Sequence, residues 1–232
     1  MMRVKLYFVQ VIIEEPKAKF CEDKFKIAPP KASYQKEIVA LDFKEIAKIK
    51  SNIINGVGNK RSLTEHKKWI NRDLSILVLG CSTGLRVSSI TEINIEDLDF
   101  VNNTISVVEK GNKRRNVMFG DNTKKILLDW LEDREEMFGD IKTNALFISR
   151  KRNRMSNRAV ADMLKKFSIG VNKHITPHKM RSSCATNLYE QTGDIYLVAD
   201  VLGHKNISNT MKYARISEER RIKAANILDN LT

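Results

Sequence analysis

The segment from Thr104 to Phe119 constrains the fold most, because its pattern indicates strands in a chain whose other patterns are mainly helical. β-Branched residues dominate Thr104–Val108, a Lys-Gly-Asn-Lys turn follows, and a second run leads to Phe119. This arrangement predicts a β-hairpin. A single hairpin among helices can form only a small antiparallel sheet that packs against them.

From Leu41 onward, apolar residues recur mostly at helical spacing. Asp42 is a candidate cap of the first helix, and Ser62 with Glu65 forms a capping box that predicts one helix continuing to Cys81. A short helix follows Arg86. Further helices are predicted at about 121–138, 156–168, 177–191, 194–202, 207–214 and 217–230. The predicted fold class is mainly α with a small antiparallel β-sheet (α+β).

Three segments are expected along the chain. Residues 1–40 form an N-terminal segment and a linker, because Lys26–Glu37 contains two adjacent prolines among polar residues. Residues 41–215 form the main domain, and residues 216–232 form an amphipathic C-terminal helix.

Composition limits the partners and the compartment. The 232 residues carry a formal net charge of +13, which favours a polyanionic partner, with nucleic acid ahead of an anionic membrane. A basic, well-solvated protein without such a partner is the alternative. The three cysteines are far apart and form no CxxC pair, so neither a zinc site nor a disulfide framework is predicted, and a reducing cytoplasm fits best. The longest apolar run, Leu74–Cys81, is too short to cross a bilayer.

Several residues are suited to binding a phosphodiester. Thr176 and Pro177 are a good cap and a good first residue for a helix. His178 and Arg181 then share one face of its opening turns, at the end that attracts anions. The other candidates are Arg86 after a glycine, Lys110 at the hairpin turn, and His204 with Tyr213 nine residues later.

Taken one at a time, these residues have ordinary explanations. Arg86 alone is more often a surface arginine, Lys110 a solvated turn residue, and His204 a partner of a helix C-terminus. The joint order of the motifs is what favours one phosphate site.

That order resembles the catalytic domain of the tyrosine recombinases, the phage-integrase and Xer-like family. The matching segments are TGLRVS, KGNKRRNV, LFISRKRNRMSNRAV, TPHKMRSSCATNL and LGHKNISNTMKY. The resemblance extends from about Leu41 to the C-terminus. It implies that residues 41–215 are a catalytic domain, and that no metal ion or nucleotide cofactor is used.

The resemblance also implies roles for the residues. Tyr213 would attack the scissile phosphate and form a 3′-phosphotyrosine. Arg86 and Arg181 would bind the non-bridging oxygens, because a guanidinium binds phosphate through two parallel hydrogen bonds.

Three further residues complete the implied site. His204 would add a hydrogen bond to the same oxygens, Lys110 would protonate the leaving 5′-oxygen, and His178 would help to deprotonate Tyr213. Family members commonly have an acidic residue three positions after the first arginine. Here that position is Ser89, and Glu92 follows one turn later.

The implied partner is double-stranded DNA. A homotetramer assembled on that DNA is expected, and an accessory DNA-bending or directionality protein is a further candidate. We expect no membrane partner and a cytoplasmic, nucleoid-associated location. Besides the six candidate catalytic residues, two basic stretches are expected to contact DNA, through Lys113, Arg114, Arg115, Arg150, Lys151 and Arg152.

Alternatives remain open at this point. Residues 1–40 are too short for the core-binding domain that related integrases close over the DNA, so the chain is a fragment, a degenerate reading frame or a naturally short enzyme. A type IB topoisomerase would share the chemistry but only relax DNA. A non-catalytic DNA-binding remnant is the other candidate.

Overall fold

The computed structural model describes residues 40–109, 113–139, 141–214 and 218–229. In these residues the helices are α1 (Phe43–Asn55), α2 (Lys60–Lys67), α3 (Ile70–Thr83), α4 (Val87–Glu92), α5 (Asp121–Phe138), α6 (Asn157–Phe167), α7 (Pro177–Thr192), α8 (Ile195–Leu202), α9 (Ser208–Met211) and α10 (Glu218–Asp229). Of the predicted N-terminal segment and linker, residues 1–40, all but Ala40 lie outside the described residues.

The predicted hairpin is confirmed and is joined by a short third strand. β2 (Thr104–Glu109) pairs antiparallel with β3 (Lys113–Met118), from Thr104 opposite Met118 to Glu109 opposite Lys113. β1 (Leu98–Asp99) adds to the other edge of β2, which gives the order β1-β2-β3. The fold class predicted from the sequence, helices with one small antiparallel sheet, is therefore confirmed.

The helix predicted to begin at Ser62 and to continue to Cys81 was wrong in two respects. The cap is Asn59, whose side chain accepts the backbone N–H of Ser62 at 3.0 Å. The chain also turns at Lys68 and Trp69, so that α2 and α3 are separate helices. An asparagine three residues upstream offers the same cap chemistry and starts the helix earlier.

Other boundaries agree closely with the sequence. Asp42 caps α1 through the N–H of Glu45, and the Glu45 side chain returns the bond, which completes a capping box. Pro177 is the first residue of α7, although the Thr176 side chain makes no capping hydrogen bond.

α3 is the central element, since it packs against α1, α5 and α7. Its residues Ile76, Leu77 and Leu79 are fully buried in the main core. A second, smaller cluster brings Tyr213 against α7 and α8 through Ala185, Val198 and Leu202. The C-terminal end of α3 and the second cluster together form the surroundings of the cleft described below. No described helix has the length and apolar character needed to span a bilayer.

Candidate active site

A sharp turn after α3 places Arg86 at the edge of a cleft. Gly84 adopts φ +62°, a left-handed conformation that residues with side chains rarely take. A Cβ here would also lie 2.6 Å from Leu202 Cδ2, so any other residue would have to displace that buried side chain. Arg86 follows in an extended conformation at the start of α4 and is exposed.

Arg181 ties three parts of the cleft together from α7. Its guanidinium donates to the carbonyl oxygen of Gly84 at 2.5 Å and to that of Leu202 at 2.8 Å. A third contact joins Nη2 to Nε2 of His204 at 2.9 Å. Arg181 is only 5% exposed, and this burial is the main cause that lowers its pKa to about 10, with the nearby charge of Arg86 next. Arg181 therefore stays positively charged at neutral pH.

The side chain of His204 is fixed from both ring nitrogens. A guanidinium can only donate, so Nε2 accepts from Arg181 and the ring proton lies on Nδ1. Nδ1 then donates to Oγ1 of Thr210 at 2.7 Å, and Thr210 is fully buried. The tight turn at Gly203, with φ +67°, brings His204 to this position directly after α8.

A double-mutant cycle on His204 and Thr210 tests this arrangement. Thr210→Val keeps the buried shape but removes the acceptor, so it is expected to lower the free energy of unfolding in urea by about 1–3 kcal/mol. In a His204→Ala background the same change should cost at least about 1 kcal/mol less, because the bond is already lost. Strictly additive losses would contradict the contact.

Tyr213 lies directly after the short helix α9. Its backbone N–H donates to the carbonyl oxygen of Thr210 at 2.8 Å, and the residue is 3% exposed. Its ring packs in the small apolar cluster, while Nζ of Lys212 lies 4.9 Å from the ring centroid. Within the described residues the Tyr213 hydroxyl makes no hydrogen bond.

These side chains line one cleft of about 580 Å³. It contains five of the six predicted catalytic residues, and the lining residues are Arg86, Val87, Ser88, Pro177, His178, Arg181, His204, Ser208, Asn209, Lys212 and Tyr213. The sixth, Lys110, lies outside the described residues. The sequence order of the motifs is thus matched by their convergence in space.

His178 lies in the first turn of α7 and lines the cleft. Although the residue is exposed overall, desolvation of its imidazole is the first cause that lowers its pKa below the ordinary value. The positive charges of Lys212 and Arg181 lower the pKa further. His178 is therefore neutral at physiological pH and able to accept a proton.

The hairpin residues predicted to contact DNA have different surroundings. Arg114 is exposed and lies 3.4 Å from Asp97 Oδ1, a surface ion pair of little strength. Arg115 is half-buried, and its Nη1 donates to the carbonyl oxygen of Val201 at 3.3 Å. Arg115 thus joins the hairpin to the last turn of α8, beside the cleft. The side chain of Lys113 lies outside the described residues.

The second predicted DNA-binding stretch lies elsewhere in the fold. Arg150, Lys151 and Arg152 are exposed, and the guanidinium of Arg150 lies 6.0 Å from the ring of Trp69. Arg72 of α3 reaches the same region, because it donates to the carbonyl oxygen of Ile148 at 3.0 Å. With a rise of about 1.5 Å per residue, this end of α3 is roughly 18 Å from Gly84. The structure therefore does not bring this stretch to the cleft.

The structure shows two features of the cleft surroundings that the sequence analysis did not predict. Lys212, Ser208 and Asn209 line the cleft although none was predicted as a site residue. The available signals were the adjacency of Lys212 to Tyr213 and the helical spacing of Asn209 four residues before it. Glu92, the acidic residue nearest to Arg86 in the sequence, is largely exposed and lies 3.9 Å from Arg154.

Residues 41–220 match the phage integrase family, so the chain belongs to that family. The match covers most of the chain and includes every residue of the cleft.

The curated relatives include the tyrosine recombinase XerC of Mannheimia succiniciproducens, which is 37% identical over 148 residues. That alignment covers 63% of this chain and 50% of the relative. The chain therefore spans about half the length of the curated relatives it matches.

Solved structures share the fold. The XerA recombinase superimposes with a TM-score of 0.66 at 23% identity, covering 81% of this chain and 64% of that one. The XerH site-specific recombinase, in a post-cleavage complex with palindromic difH substrate, superimposes with a TM-score of 0.67 at 24% identity. This match covers 86% of this chain and 56% of that one.

Proposed function

We propose that this chain is the catalytic part of a site-specific DNA recombinase, or integrase, that breaks and rejoins strands through a covalent 3′-phosphotyrosine. The observation that carries the proposal is the cleft, where Tyr213 lies with two arginines and two histidines. Membership of the phage integrase family supports it. So does the likeness in fold to XerH, a relative described on a DNA substrate after cleavage.

In the first step the hydroxyl oxygen of Tyr213 attacks the scissile phosphorus. His178, which is neutral, accepts the phenolic proton. A bond forms between phosphorus and the tyrosine oxygen, and the bond to the 5′-oxygen breaks. One phosphodiester replaces another, so the step needs no external energy source. Attack by a second 5′-hydroxyl reverses the chemistry and joins a new pair of strands.

The arginines stabilise the charge that develops on the phosphoryl oxygens. Arg181 uses three of its five N–H donors on Gly84, Leu202 and His204 among the described residues, which leaves two for phosphate. Arg86 has no hydrogen bond or ion pair to the described residues, so all the N–H donors of its guanidinium can bind the phosphate. Lys110 protonates the departing 5′-oxygen.

The proposed partner is double-stranded DNA, which the net charge of +13 favours. The exposed apolar residues Ile222, Ile227 and Leu228 of α10 support docking of this helix on a neighbouring protomer in a homotetramer. We place the reaction in the cytoplasm at the nucleoid, with an accessory DNA-bending or directionality protein as a further partner. Mass photometry of the assembled complex checks the stoichiometry. Four chains on two duplexes are expected, and a single chain per complex would contradict the tetramer.

Covalent trapping tests the proposed activity. The protein is incubated with a pool of nicked duplexes that includes the ends of any flanking element, so that the short piece beyond the nick is lost after cleavage. We expect an SDS-resistant adduct linked through a DNA 3′-phosphate, with a free 5′-hydroxyl on the released piece. Adding a strand with a 5′-hydroxyl end should release the protein and restore a continuous strand.

The same assay separates the alternatives. Adducts on unrelated sequences, together with relaxation of supercoiled plasmid without a preferred site, would indicate a type IB topoisomerase. Salt-sensitive DNA binding with no adduct on any duplex would indicate a non-catalytic remnant and would contradict the proposal.

A further inference from the structure

Lys212 is the one lysine among the residues seen to line the cleft, and it precedes the candidate nucleophile directly. Its Nζ lies 4.9 Å from the centroid of the Tyr213 ring, within the range of a cation–π contact. Lys212 is exposed, so the lysine is not needed to fill the core. Because Lys212 lines the cleft beside Tyr213, a role in the cleft is the natural explanation of its position.

We propose that Lys212 is a positioning residue, whose ammonium lies against the Tyr213 ring and stabilises the phenolate as the tyrosine attacks. The inference rests on the proposed function, because it concerns the same nucleophile.

The physical reason is the change of charge during the reaction. Before attack, the ammonium interacts only with the quadrupole of a neutral ring, which is worth little at an exposed site. As the proton leaves, the phenol gains negative charge, and the ammonium then attracts it more strongly than it attracts the neutral ring. The contact therefore strengthens towards the transition state, which is the property that accelerates a reaction.

Lys212 also acts on the proposed proton acceptor. Its charge is the second cause, after desolvation, that lowers the pKa of His178, and Arg181 is the third. A lowered pKa keeps His178 neutral at mildly acidic pH, where an ordinary histidine would already be protonated. The charged or titratable side chains that share the cleft with His178 and Tyr213 are Arg86, Arg181, His204 and Lys212.

Two substitutions at Lys212 and one control test the inference. Lys212→Met removes the charge and keeps the length, while Lys212→Arg keeps the charge. Lys205→Met removes the same charge from an exposed position close by, outside the residues that line the cleft. Because the Lys212 side chain is exposed, the variants should fold normally, and circular dichroism checks this.

The first readout is the rate of adduct formation on saturating nicked DNA as a function of pH. We expect Lys212→Met to cleave about tenfold more slowly at neutral pH, with the acid side of its profile moved to higher pH. The sign follows because loss of the charge raises the pKa of His178, so more of the base is protonated at a given pH. Lys212→Arg should stay within about threefold of wild type with the original profile, and Lys205→Met should leave both unchanged.

The second readout needs no DNA. In ¹³C-labelled histidine spectra of the free protein, the titration of His178 should move to higher pH in Lys212→Met and return in Lys212→Arg. An unchanged titration would overturn the inference whatever the DNA assay gives.

The outcomes also separate this inference from the proposed function. If wild type forms no adduct, the proposed function fails, and the histidine titration still decides whether Lys212 acts on the cleft. If wild type cleaves but Lys212→Met matches it at every pH, the inference alone fails. Weaker DNA binding with an unchanged pH profile would make Lys212 a phosphate contact and would overturn the positioning role.

Discussion

Tyr213→Phe is expected to abolish the covalent adduct while leaving folding and DNA binding intact. The substitution removes one oxygen, which makes no hydrogen bond to the described residues, and keeps the ring that packs against Ala185, Val198 and Leu202. Cleavage should fall by on the order of 10⁴-fold or more, since Tyr213 is the one tyrosine among the described residues that line the cleft. The measurement is the SDS-resistant band on nicked duplexes.

Tyr196→Phe is the matched control for this prediction. Tyr196 lies on α8 and is 75% exposed, so loss of its hydroxyl should change neither cleavage nor stability. An adduct that persists in Tyr213→Phe, or that disappears in Tyr196→Phe, would show that Tyr213 is not the nucleophile.

The second large effect is expected for Arg181→Lys, because this arginine has both a structural and a chemical role. A lysine keeps the charge but lacks the planar fork that reaches Gly84, Leu202 and His204 together. Cleavage should fall by roughly 10²- to 10³-fold. The free energy of unfolding should fall by about 2–4 kcal/mol, because buried acceptors lose their partners.

Arg86→Lys separates the two roles. Arg86 is exposed and makes no hydrogen bond to the described residues, so its replacement should slow cleavage by a similar factor and leave stability unchanged. The pair is compared by urea unfolding and by cleavage at a temperature where both variants are folded. Equal free energies of unfolding for the two variants would contradict the hydrogen bonds that Arg181 makes across the cleft.

Local signals in the sequence were sufficient for most helices and for the hairpin. α5 begins and ends within the predicted range, and Pro177 starts α7 as expected. Where the prediction failed, two local signals competed. Asn59 and Ser62 both suit a helix cap, and only the packing of the chain decides that Asn59 serves and that the helix turns at Trp69.

Five residues of the candidate site were predictable from the sequence, but the hydrogen bonds that connect them were not. The order of the motifs identified Arg86, His178, Arg181, His204 and Tyr213, and the cleft brings these five together. That Nε2 of His204 accepts from Arg181 depends on how α7 and the turn after α8 meet.

Two other placements also depend on tertiary packing. Arg115 was predicted as a DNA contact from its charge alone, yet its guanidinium donates to the end of α8. Arg150 belongs to an equally basic stretch but lies near the far end of α3, beside Trp69. Charge in a sequence indicates affinity for a polyanion, but it does not show which face carries it.

Locating the DNA on the protein identifies the nucleophile without relying on a substitution. The trapped adduct is treated with nuclease and cut before aspartate residues, which places Tyr189, Tyr196 and Tyr213 in the three separate peptides 162–193, 194–199 and 200–228. Tandem mass spectrometry should find the residual 3′-phosphonucleotide on Tyr213 of the last peptide. A nucleotide on any other tyrosine, or on a serine or threonine, would contradict the assignment of Tyr213 as the nucleophile.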